Sequence, residues 1–394
     1  MNNTPLLIAS KCPWEVSDKD GGSILVEELI SVFTRLNKPL DALLLRHKND
    51  HLSIPSPIRK TMYCSPPSIN DKFRSRLEAG PGVMKALSRM SPLGRPLIIT
   101  HISNAFFLCE GNKLGYGPVI LFPMFTSTSY TLSGERVPAA YIDMERRSLE
   151  HVDTIVTPSK FEARQLVHDF GVSPEKITVL PRSFDKVPAL EQRTFKGRDL
   201  FIICIGAVRK QKNQIAAIPV IRELLRCGLN PIFNFAGYIQ DDNYYSEILD
   251  QVSIYGLQSN VCFHGSLERN KLHAVLEQSH CTVSFSRCET FGRGIFEALT
   301  AGRPTVVYKD LEATWEYLQG VEGMLIGAER DPCTVAQELL TLTKMWLDKP
   351  VDTTRKSILL DAKSGIDALF GFLHRFLTPN VADYHGSSIE SGRI

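Results

Sequence analysis

Short apolar runs alternate with amphipathic segments along most of this 394-residue chain. The apolar runs are rich in Val, Ile, Leu and Phe, which is typical of strands that are buried on both faces. Clear examples are residues 6–9, 97–100, 119–122, 200–205 and 305–308. Polar residues and then a segment with helical periodicity follow most of these runs. The pattern therefore predicts an α/β fold with mainly parallel sheets.

A polar stretch without periodicity, residues 185–197, interrupts this alternation. A chain of this length usually forms two or three domains, so we place a domain boundary there. The N-terminal domain is predicted to span residues 1–185 and the C-terminal domain residues 186–351. A helical pattern then covers residues 352–377, and the polar residues 378–394 are predicted to form a flexible tail.

The first half contains one region of unusual composition. Residues 51–95 include six prolines and are predicted to be irregular apart from a loop or helix near residues 71–90. Residues 35–95 carry twelve Lys and Arg but only four Asp and Glu, although the net charge of the chain is +2. Such a segment suits an anionic membrane or a phosphate-bearing acceptor, but it is also compatible with an ordinary solvated surface. Nucleic acid is not expected as a partner, because only this segment favours it.

The overall composition is that of an ordinary globular protein, with 43% hydrophobic and 22% charged residues. No apolar run approaches the ~20 residues that span a bilayer, and the N-terminal residues do not have the pattern of a signal peptide. The nine cysteines include no CxxC pair, so neither a disulfide framework nor a zinc site is predicted. We therefore expect a reduced, cytoplasmic protein.

Residues 281–310 contain the strongest candidate for a ligand site. A strand-like run, residues 281–285, leads into a loop with two glycines, residues 286–294, and a helix is predicted over residues 295–301. A loop that presents free backbone N–H groups at a helix N-terminus is suited to bind an anion. The segment therefore predicts an anion site at the start of its helix.

Two carboxylates, Glu289 in the loop and Glu297 in the helix, bracket this anion site. Such a combination suits a ligand that carries both phosphates and hydroxyls, as a nucleotide-sugar does. Glu297 has a second interpretation, because it stands three residues after Gly294, where acids often cap a helix start. The sequence leaves both interpretations of Glu297 open.

Two pairs of residues in the first half of the chain follow directly after a predicted strand, which is where open α/β sheets bind ligands. Gly21 and Gly22 fall in the loop between the first strand and a helix predicted over residues 23–36. A glycine pair lets a ligand approach the backbone, although such pairs are also common in turns. His101 and Asn104 follow another buried-type strand, although a lone histidine is more often structural.

The spacing around Glu289 resembles that of a known enzyme family. Seven residues separate Glu289 from Glu297, and Phe291 and Gly292 follow the first of these acids. This segment is similar to the E-x7-E region of retaining glycosyltransferases of the GT-B fold, family 4 type, also called group 1 glycosyltransferases. The resemblance is detailed over residues 138–326 and extends to the earlier residues only through the order of their elements.

The resemblance implies two Rossmann-like domains that face each other across a cleft, with the helix at 352–377 crossing back to the first domain. It implies transfer of a sugar from a UDP- or GDP-sugar to a glycan, lipid-linked or small-molecule acceptor, with retention of anomeric configuration. Neither a metal nor another cofactor is implied. Because the first domain would hold the acceptor, His101 and Asn104 are the acceptor-side candidates. For the basic residues 35–95, a peripheral contact with the anionic inner face of a membrane stays open beside an ordinary solvated surface.

The resemblance also implies roles for individual residues. Lys212 matches a family lysine that binds the donor diphosphate, and Arg209 is a candidate replacement for a family arginine, whose position is taken by Ala207. Glu289 is expected to hold sugar hydroxyls and Glu297 the ribose hydroxyls. The predicted catalytic residues are Glu289, Lys212 and Arg209. The predicted donor-binding residues are Gly21, Gly22, Gly206, Phe291, Gly292, Arg293, Gly294 and Glu297.

Two other interpretations stay open at this point. Because a fold does not fix its chemistry, the chain is also compatible with another GT-B nucleotide-sugar enzyme, such as an epimerase. A catalytically lapsed GT-B domain that acts as a binding or scaffold protein is the other alternative. Two departures favour it: Ala207 replaces the family arginine, and Pro123 stands where many members carry a histidine that contacts the sugar. The presence of Glu289, Glu297 and Lys212 argues against it.

Overall fold

Two compact units make up the described part of the chain. The computed structural model describes residues 4–11, 21–46, 54–90, 92, 94–110, 113–184, 190–191, 195, 197–318, 325–345 and 364–377. The first unit contains the described residues up to Thr128, residues 136–183 and the helix at 364–377. The second unit contains residues 129–135 and the described residues from Phe184 to residue 345.

Several of the predicted boundaries fall where the structure gives no description. The predicted boundaries at 185/186 and 351/352 lie outside the described residues, as does the predicted tail, 378–394. The described part of the predicted helix at 352–377 runs from Ser364 to Leu377, and it belongs to the first unit.

The first unit is built on a sheet of seven strands in which all neighbouring pairs are parallel. In chain order the strands are β1 (Leu6–Ala9), β2 (Leu40–Leu44), β3 (Ile58–Tyr63), β4 (Leu97–Thr100), β5 (Val119–Phe122), β6 (Thr154–Thr157) and β7 (Ile177–Val179). The helices in this part of the chain are α1 (Gly21–Arg35), α2 (Lys72–Leu87), α3 (Ser127–Leu132), α4 (Ala139–Glu150) and α5 (Lys160–Phe170). Most of α3 belongs to the second unit, and the other four belong to the first. Every residue of β1, β2, β4 and β5 is buried, as expected where helices cover both faces of a sheet.

The second unit is built on a sheet of six strands, again parallel throughout. The strands are β8 (Asp199–Ile205), β9 (Asn230–Ala236), β10 (Val261–Gly265), β11 (Cys281–Val283), β12 (Thr305–Tyr308) and β13 (Leu325–Ala328). The helices are α6 (Ala217–Arg226), α7 (Asp242–Ile254), α8 (Arg269–Gln278), α9 (Arg293–Thr300), α10 (Glu312–Trp315) and α11 (Pro332–Met345). The order across the sheet is β10-β9-β8-β11-β12-β13.

The predicted α/β fold with parallel sheets is confirmed. The first sheet has the order β3-β2-β1-β4-β5-β6-β7, so the direction of winding reverses between β1 and β4. The second sheet reverses in the same way between β8 and β11. Such reversal is the mark of doubly wound sheets, and both units are therefore Rossmann-like.

The prediction that residues 51–95 are irregular outside a loop or helix near 71–90 was wrong for β3, whereas α2 confirms a helix near 71–90. Pro55 and Pro57 directly precede β3, and prolines at such positions argue against a strand when only the sequence is considered. The strand lies at the edge of the sheet, where only its first residue, Ile58, is buried. Exposed Arg59 and Lys60 protect this edge from pairing with another chain.

The final helix, α12 (Ser364–Leu377), packs against α1 in the first unit. Leu369 and Leu373 enter the same apolar core as residues of α1. At the rim, Arg35 pairs with Asp367 at 2.8 Å. None of the helices that the structure describes is long and apolar enough to cross a membrane.

One carboxyl group in the first unit is buried without compensation. Glu162, in the first turn of α5, is fully buried, and neither of its carboxyl oxygens has a hydrogen-bond partner among the described residues. Burial raises the pKa of Glu162 from its ordinary value of 4.5 to about 8, although Arg182 opposes the shift. The group is therefore mainly a neutral acid at pH 7.

This burial predicts a pH-dependent stability. A raised folded-state pKa means that the contribution of Glu162 is fully present below about pH 4.5 and is lost as the pH rises toward 8. Glu162→Gln keeps the size and neutrality of the protonated acid, so we expect a melting temperature at least about 5 °C above wild type at pH 8.5. At pH 4, below the ordinary pKa of the carboxyl group, the two proteins should melt within about 1 °C of each other. A gain of equal size at both pH values would contradict this account.

Candidate functional site

The loops after β8 and β11 meet at the carboxyl edge of the second sheet. The first of them contains residues 206–213 and the second residues 284–292, which lead directly into α9. Because the sheet changes its direction of winding between these two strands, their loops turn to opposite faces and leave space between them. Open α/β sheets bind ligands at this point.

Glycine is required at two positions at the start of α9, at one by contact with the end of β8 and at the other by its backbone conformation. A Cβ atom on Gly294 would lie 2.9 Å from the carbonyl oxygen of Ile205. Gly292, the N-cap of α9, has a φ of 93°, which other residues rarely adopt, and a Cβ atom there would lie 2.9 Å from Oγ1 of Thr314. The N–H groups of the first helical turn are therefore placed beside the loop after β8.

A buried ion pair joins the two loops. Nζ of Lys212 lies 2.5 Å from Oε1 of Glu289, and Oγ of Ser286 donates to the same oxygen at 2.6 Å. Glu289 is 8% exposed, so these partners replace water as the main compensation of its charge. Lys212 also passes beside Gly206, where a Cβ atom would lie 3.3 Å from Cε of Lys212. The structure thus places the predicted catalytic residues Lys212 and Glu289 in direct contact.

An arginine from a later part of the chain holds the loop after β11. Arg330 donates to the carbonyl oxygens of Ser286 at 3.3 Å and Arg287 at 2.9 Å. Its Nε atom bonds to Asp310 at 2.7 Å, and its guanidinium lies 4.3 Å from the ring centroid of Tyr308. Arg330 was not among the predicted site residues, because neither a motif nor a periodic pattern marks it.

Helix α9 begins at Arg293, two residues before the predicted start. With Gly292 as the N-cap, Glu297 is the fifth helical residue and not the third. The helix-capping interpretation of Glu297 is therefore wrong, because a capping carboxylate acts from the third position. Its Oε1 atom lies 3.9 Å from Nη2 of Arg293, and both side chains are mostly buried. The assignment of Glu297 to ribose binding stays a prediction.

The remaining candidates in the second unit, Arg209 and Phe291, differ in their position and in their burial. Arg209 lies in the loop after β8, where its carbonyl accepts the N–H of Lys212 at 2.9 Å, and it is partly buried. Phe291 is 3% exposed and stacks on Phe296 with ring centroids 4.5 Å apart. The side chain of Phe291 therefore belongs to the core, and a donor contact would use its backbone.

Gly21 and Gly22 belong to the first unit and begin α1. The prediction that they lie in a loop before a helix at 23–36 was wrong, because the first helical turn needs no intrahelical N–H partner and tolerates glycine. A Cβ atom on Gly21 would lie 4.0 Å from Cε of Met124, which follows β5. The pair is therefore near the carboxyl edge of the first sheet.

His101 and Asn104 follow β4 in the first unit. His101 has a φ of 77°, an uncommon backbone conformation outside glycine. Its Nδ1 atom accepts the N–H of Ser103 at 3.2 Å, so the neutral ring carries its proton on Nε2. Asn104 is 4% exposed, and its amide donates to the carbonyl oxygen of Thr100 at 2.5 Å. The Asn104 amide is therefore engaged in closing the end of β4.

Several cations of the basic segment 35–95 are paired within the first unit. Arg95 is 5% exposed, lies 2.7 Å from Oδ2 of Asp41 and donates to the carbonyl oxygen of Thr4 at 2.7 Å. Arg59 contacts the same carboxylate at 3.1 Å. Arg95 thus stabilises the amino edge of the sheet from the protein interior, whereas Arg59 pairs with Asp41 and stays exposed.

The cysteines that the structure describes are free thiols. Burial raises the pKa of Cys204 and Cys281 to about 12, and it also raises the pKa of Cys288, so these thiols stay protonated. Within the described ranges, no group of three or more His, Cys, Asp or Glu is arranged to hold a metal ion.

Comparisons with solved structures show the same architecture in several glycosyltransferases. Sucrose-phosphate synthase from Thermosynechococcus elongatus matches with a TM-score of 0.75 and 16% identity, over 95% of this chain and 99% of that chain. Anabaena HepE in complex with UDP and glucose matches with a TM-score of 0.60 and 15% identity, over 94% and 95%. The catalytic domain of starch synthase IV from Arabidopsis thaliana, bound to ADP and acarbose, matches with a TM-score of 0.67 and 12% identity, over 96% and 99%. At these identities the likeness shows the fold.

Two family models match the sequence, one for each half. Glycosyltransferase Family 4 matches residues 30–186, and Glycosyl transferases group 1 matches residues 188–356. No curated protein sequence is significantly similar to the chain. The two models together cover most of the chain, and their order agrees with the two Rossmann-like units. The chain belongs to the group 1 glycosyltransferases of the GT-B fold.

Proposed function

We propose that this glycosyltransferase moves a hexosyl group from a nucleotide diphospho-sugar to an acceptor hydroxyl, with retention of anomeric configuration. The observation that carries the proposal is the buried pair of Lys212 and Glu289 beside the N-terminus of α9. A cation and free amides suit the leaving diphosphate, and a carboxylate suits sugar hydroxyls. The lysine, the carboxylate and the helix N-terminus all lie at the carboxyl edge of the second sheet.

The diphosphate is the leaving group, so its developing negative charge needs compensation. Lys212 supplies a full positive charge, and Arg209 in the same loop is proposed to supply a second. The N–H groups of Gly292, Arg293 and Gly294 add the partial positive charge of a helix N-terminus. With this compensation from the chain itself, we expect transfer to proceed without a metal or another cofactor.

Glu289 is proposed to orient the transferred sugar. Both of its partners, Lys212 and Ser286, bond to Oε1, so Oε2 is the oxygen proposed to accept from sugar hydroxyls. The carboxylate also stabilises positive charge that develops on the sugar as the bond to the phosphate breaks. Glu297 is proposed to accept from the ribose hydroxyls of the nucleotide.

Two of the similar structures are complexes with nucleoside diphosphates, UDP for Anabaena HepE and ADP for starch synthase IV. They support a nucleoside diphosphate as the leaving group here, and we propose a UDP- or GDP-sugar as the donor.

The first unit is proposed to hold the acceptor, with His101 at the end of β4 as a hydrogen-bond donor through Nε2. The acceptor class stays open among glycans, lipid-linked sugars and small molecules. Exposed Lys85 and Arg89 near the end of α2 are proposed to make a peripheral contact with an anionic cytoplasmic membrane face if the acceptor is lipid-linked.

A thermal-shift experiment with UDP, GDP and ADP tests the donor site. We expect one of UDP and GDP, at about 100 times its dissociation constant, to raise the melting temperature by about 5 °C, because a ligand that binds only the folded state stabilises it. EDTA should leave this shift unchanged. The matching nucleoside without phosphates serves as the control, and it should give less than about 1 °C. A protein that none of the three diphosphates stabilises would contradict the proposed donor site.

A further inference from the structure

A second contact joins the loops after β8 and β11, one residue before each charged group of the ion pair. Gln211 precedes Lys212, and Cys288 precedes Glu289. Nε2 of Gln211 donates to the carbonyl oxygen of Cys288 at 2.9 Å, and the carbonyl oxygen of Gln211 accepts the N–H of Arg287 at 2.8 Å. These two hydrogen bonds are named the Gln211 bridge.

Glutamine at this position has opposing effects on stability. Gln211 is 5% exposed, and its Oε1 atom is buried without a hydrogen-bond partner in the part of the chain that the structure describes. A buried acceptor without a partner lowers the stability of a fold. Replacement by an apolar residue would remove this cost, although it would also leave the Cys288 carbonyl without its donor.

Cys288 is held on its side-chain face as well. Its Sγ atom donates to the carbonyl oxygen of Ser129 at 3.4 Å and lies 3.6 Å from Oγ of Ser133. Residues 129–135 belong to the same unit as Cys288, although they precede it by about 150 positions. Residue 288 is thus fixed by its carbonyl on one side and by its thiol on the other.

We propose that Gln211 is a positioning residue that sets the separation of Lys212 and Glu289. This inference rests on the function proposed above and deepens it. The Gln211 bridge fixes the residues directly before the ammonium and the carboxylate, so a shift of the bridge moves both groups. The ammonium must meet the diphosphate while the carboxylate meets the sugar, and a displacement of about 1 Å is enough to cost about 100-fold in rate.

The test compares Gln211→Met with Gln214→Met. Gln214 is a close match, because it is 1% exposed, donates through Nε2 to the Ala207 carbonyl oxygen at 2.9 Å and also has a buried Oε1 without a partner among the described residues. We expect Gln211→Met to lower kcat about 10- to 100-fold with the donor KM changed less than about 3-fold. Gln214→Met should lower the melting temperature by a similar amount but keep kcat within about 3-fold. Equal losses of kcat in the two variants would overturn the proposal.

A double variant separates positioning from a general structural effect. If Gln211 acts through the pair, the kcat loss caused by Gln211→Met should be at least about 3-fold smaller in a protein that already carries Glu289→Gln than in wild type, with the remaining loss due to Lys212. A purely structural effect would instead multiply the two losses, which would overturn the proposal. If Glu289→Gln alone left transfer unchanged, the role proposed for Glu289 would fail first, and that result is distinct from failure of the Gln211 assignment.

Discussion

Lys212→Met is expected to lower kcat/KM for sugar transfer about 10³-fold. Lys212 places its ammonium 2.5 Å from Glu289 within the proposed donor site, where it supplies one of the two full positive charges proposed for the diphosphate. Removal of one group that stabilises developing charge typically costs 10²- to 10³-fold. The variant also leaves the Glu289 carboxylate buried without its cation, which adds to the loss.

Lys210→Met is the matched control for this prediction. Lys210 lies in the same turn and is exposed to solvent, so its replacement should keep kcat/KM within about 3-fold. Steady-state release of nucleoside diphosphate at a fixed acceptor concentration gives both values. If Lys212→Met kept more than a tenth of the wild-type kcat/KM while its fold was intact, Lys212 would not be the diphosphate ligand.

Glu289→Gln is expected to lower kcat about 10²-fold or more, with little change in the affinity for the free nucleoside diphosphate. The amide keeps the size of the side chain but loses the negative charge that is proposed to stabilise an oxocarbenium-like sugar. Binding of the diphosphate is proposed to depend on Lys212 and the α9 amides, so it should survive. The measurement is kcat together with a thermal shift by the diphosphate on the same variant.

Glu277→Gln, at an exposed position in α8, is the charge-matched control and should behave like wild type. A Glu289→Gln enzyme with wild-type kcat would exclude the carboxylate from the reaction. A variant that lost both kcat and the diphosphate shift would instead indicate damage to the whole site.

Periodicity predicted the architecture because strands buried on both faces must be continuously apolar. Short apolar runs such as residues 119–122 and 305–308 were therefore predicted to be buried strands, and both are. β3 was not predicted, because it lies at a sheet edge with Arg59 and Lys60 in solvent and therefore has no apolar run. Edge position is a property of the assembled sheet and is absent from the local pattern.

The start of α9 shows a second limit of local reasoning. Gly294 was the natural choice for the last residue before the helix, but it lies inside the helix because only glycine fits against Ile205 of β8. Gly292 takes the N-cap position through its positive φ. Which of two nearby glycines caps a helix thus depended on contact with a strand about 90 residues earlier in the chain.

The residues of the candidate site that belong to a sequence motif could be predicted. Those that reach the site only through tertiary contacts could not. Glu289 and Lys212 were identified separately from their spacing to neighbours, yet their contact across 77 positions comes from the sheet order. Gln211 and Arg330 carry no signal in the sequence, because they act through hydrogen bonds to backbone carbonyl groups. Because every residue has a backbone carbonyl group, such bonds do not require a particular residue type at the accepting position.

The most direct test of the central claim is a proton NMR time course of the wild-type enzyme in EDTA, with an acceptor and the sugar donor of the nucleotide found by thermal shift. We predict equal amounts of nucleoside diphosphate and glycosylated acceptor, with the product in the same anomeric configuration as the donor. Inverted product, or a donor that is epimerised in the absence of acceptor and never releases nucleoside diphosphate, would contradict the account.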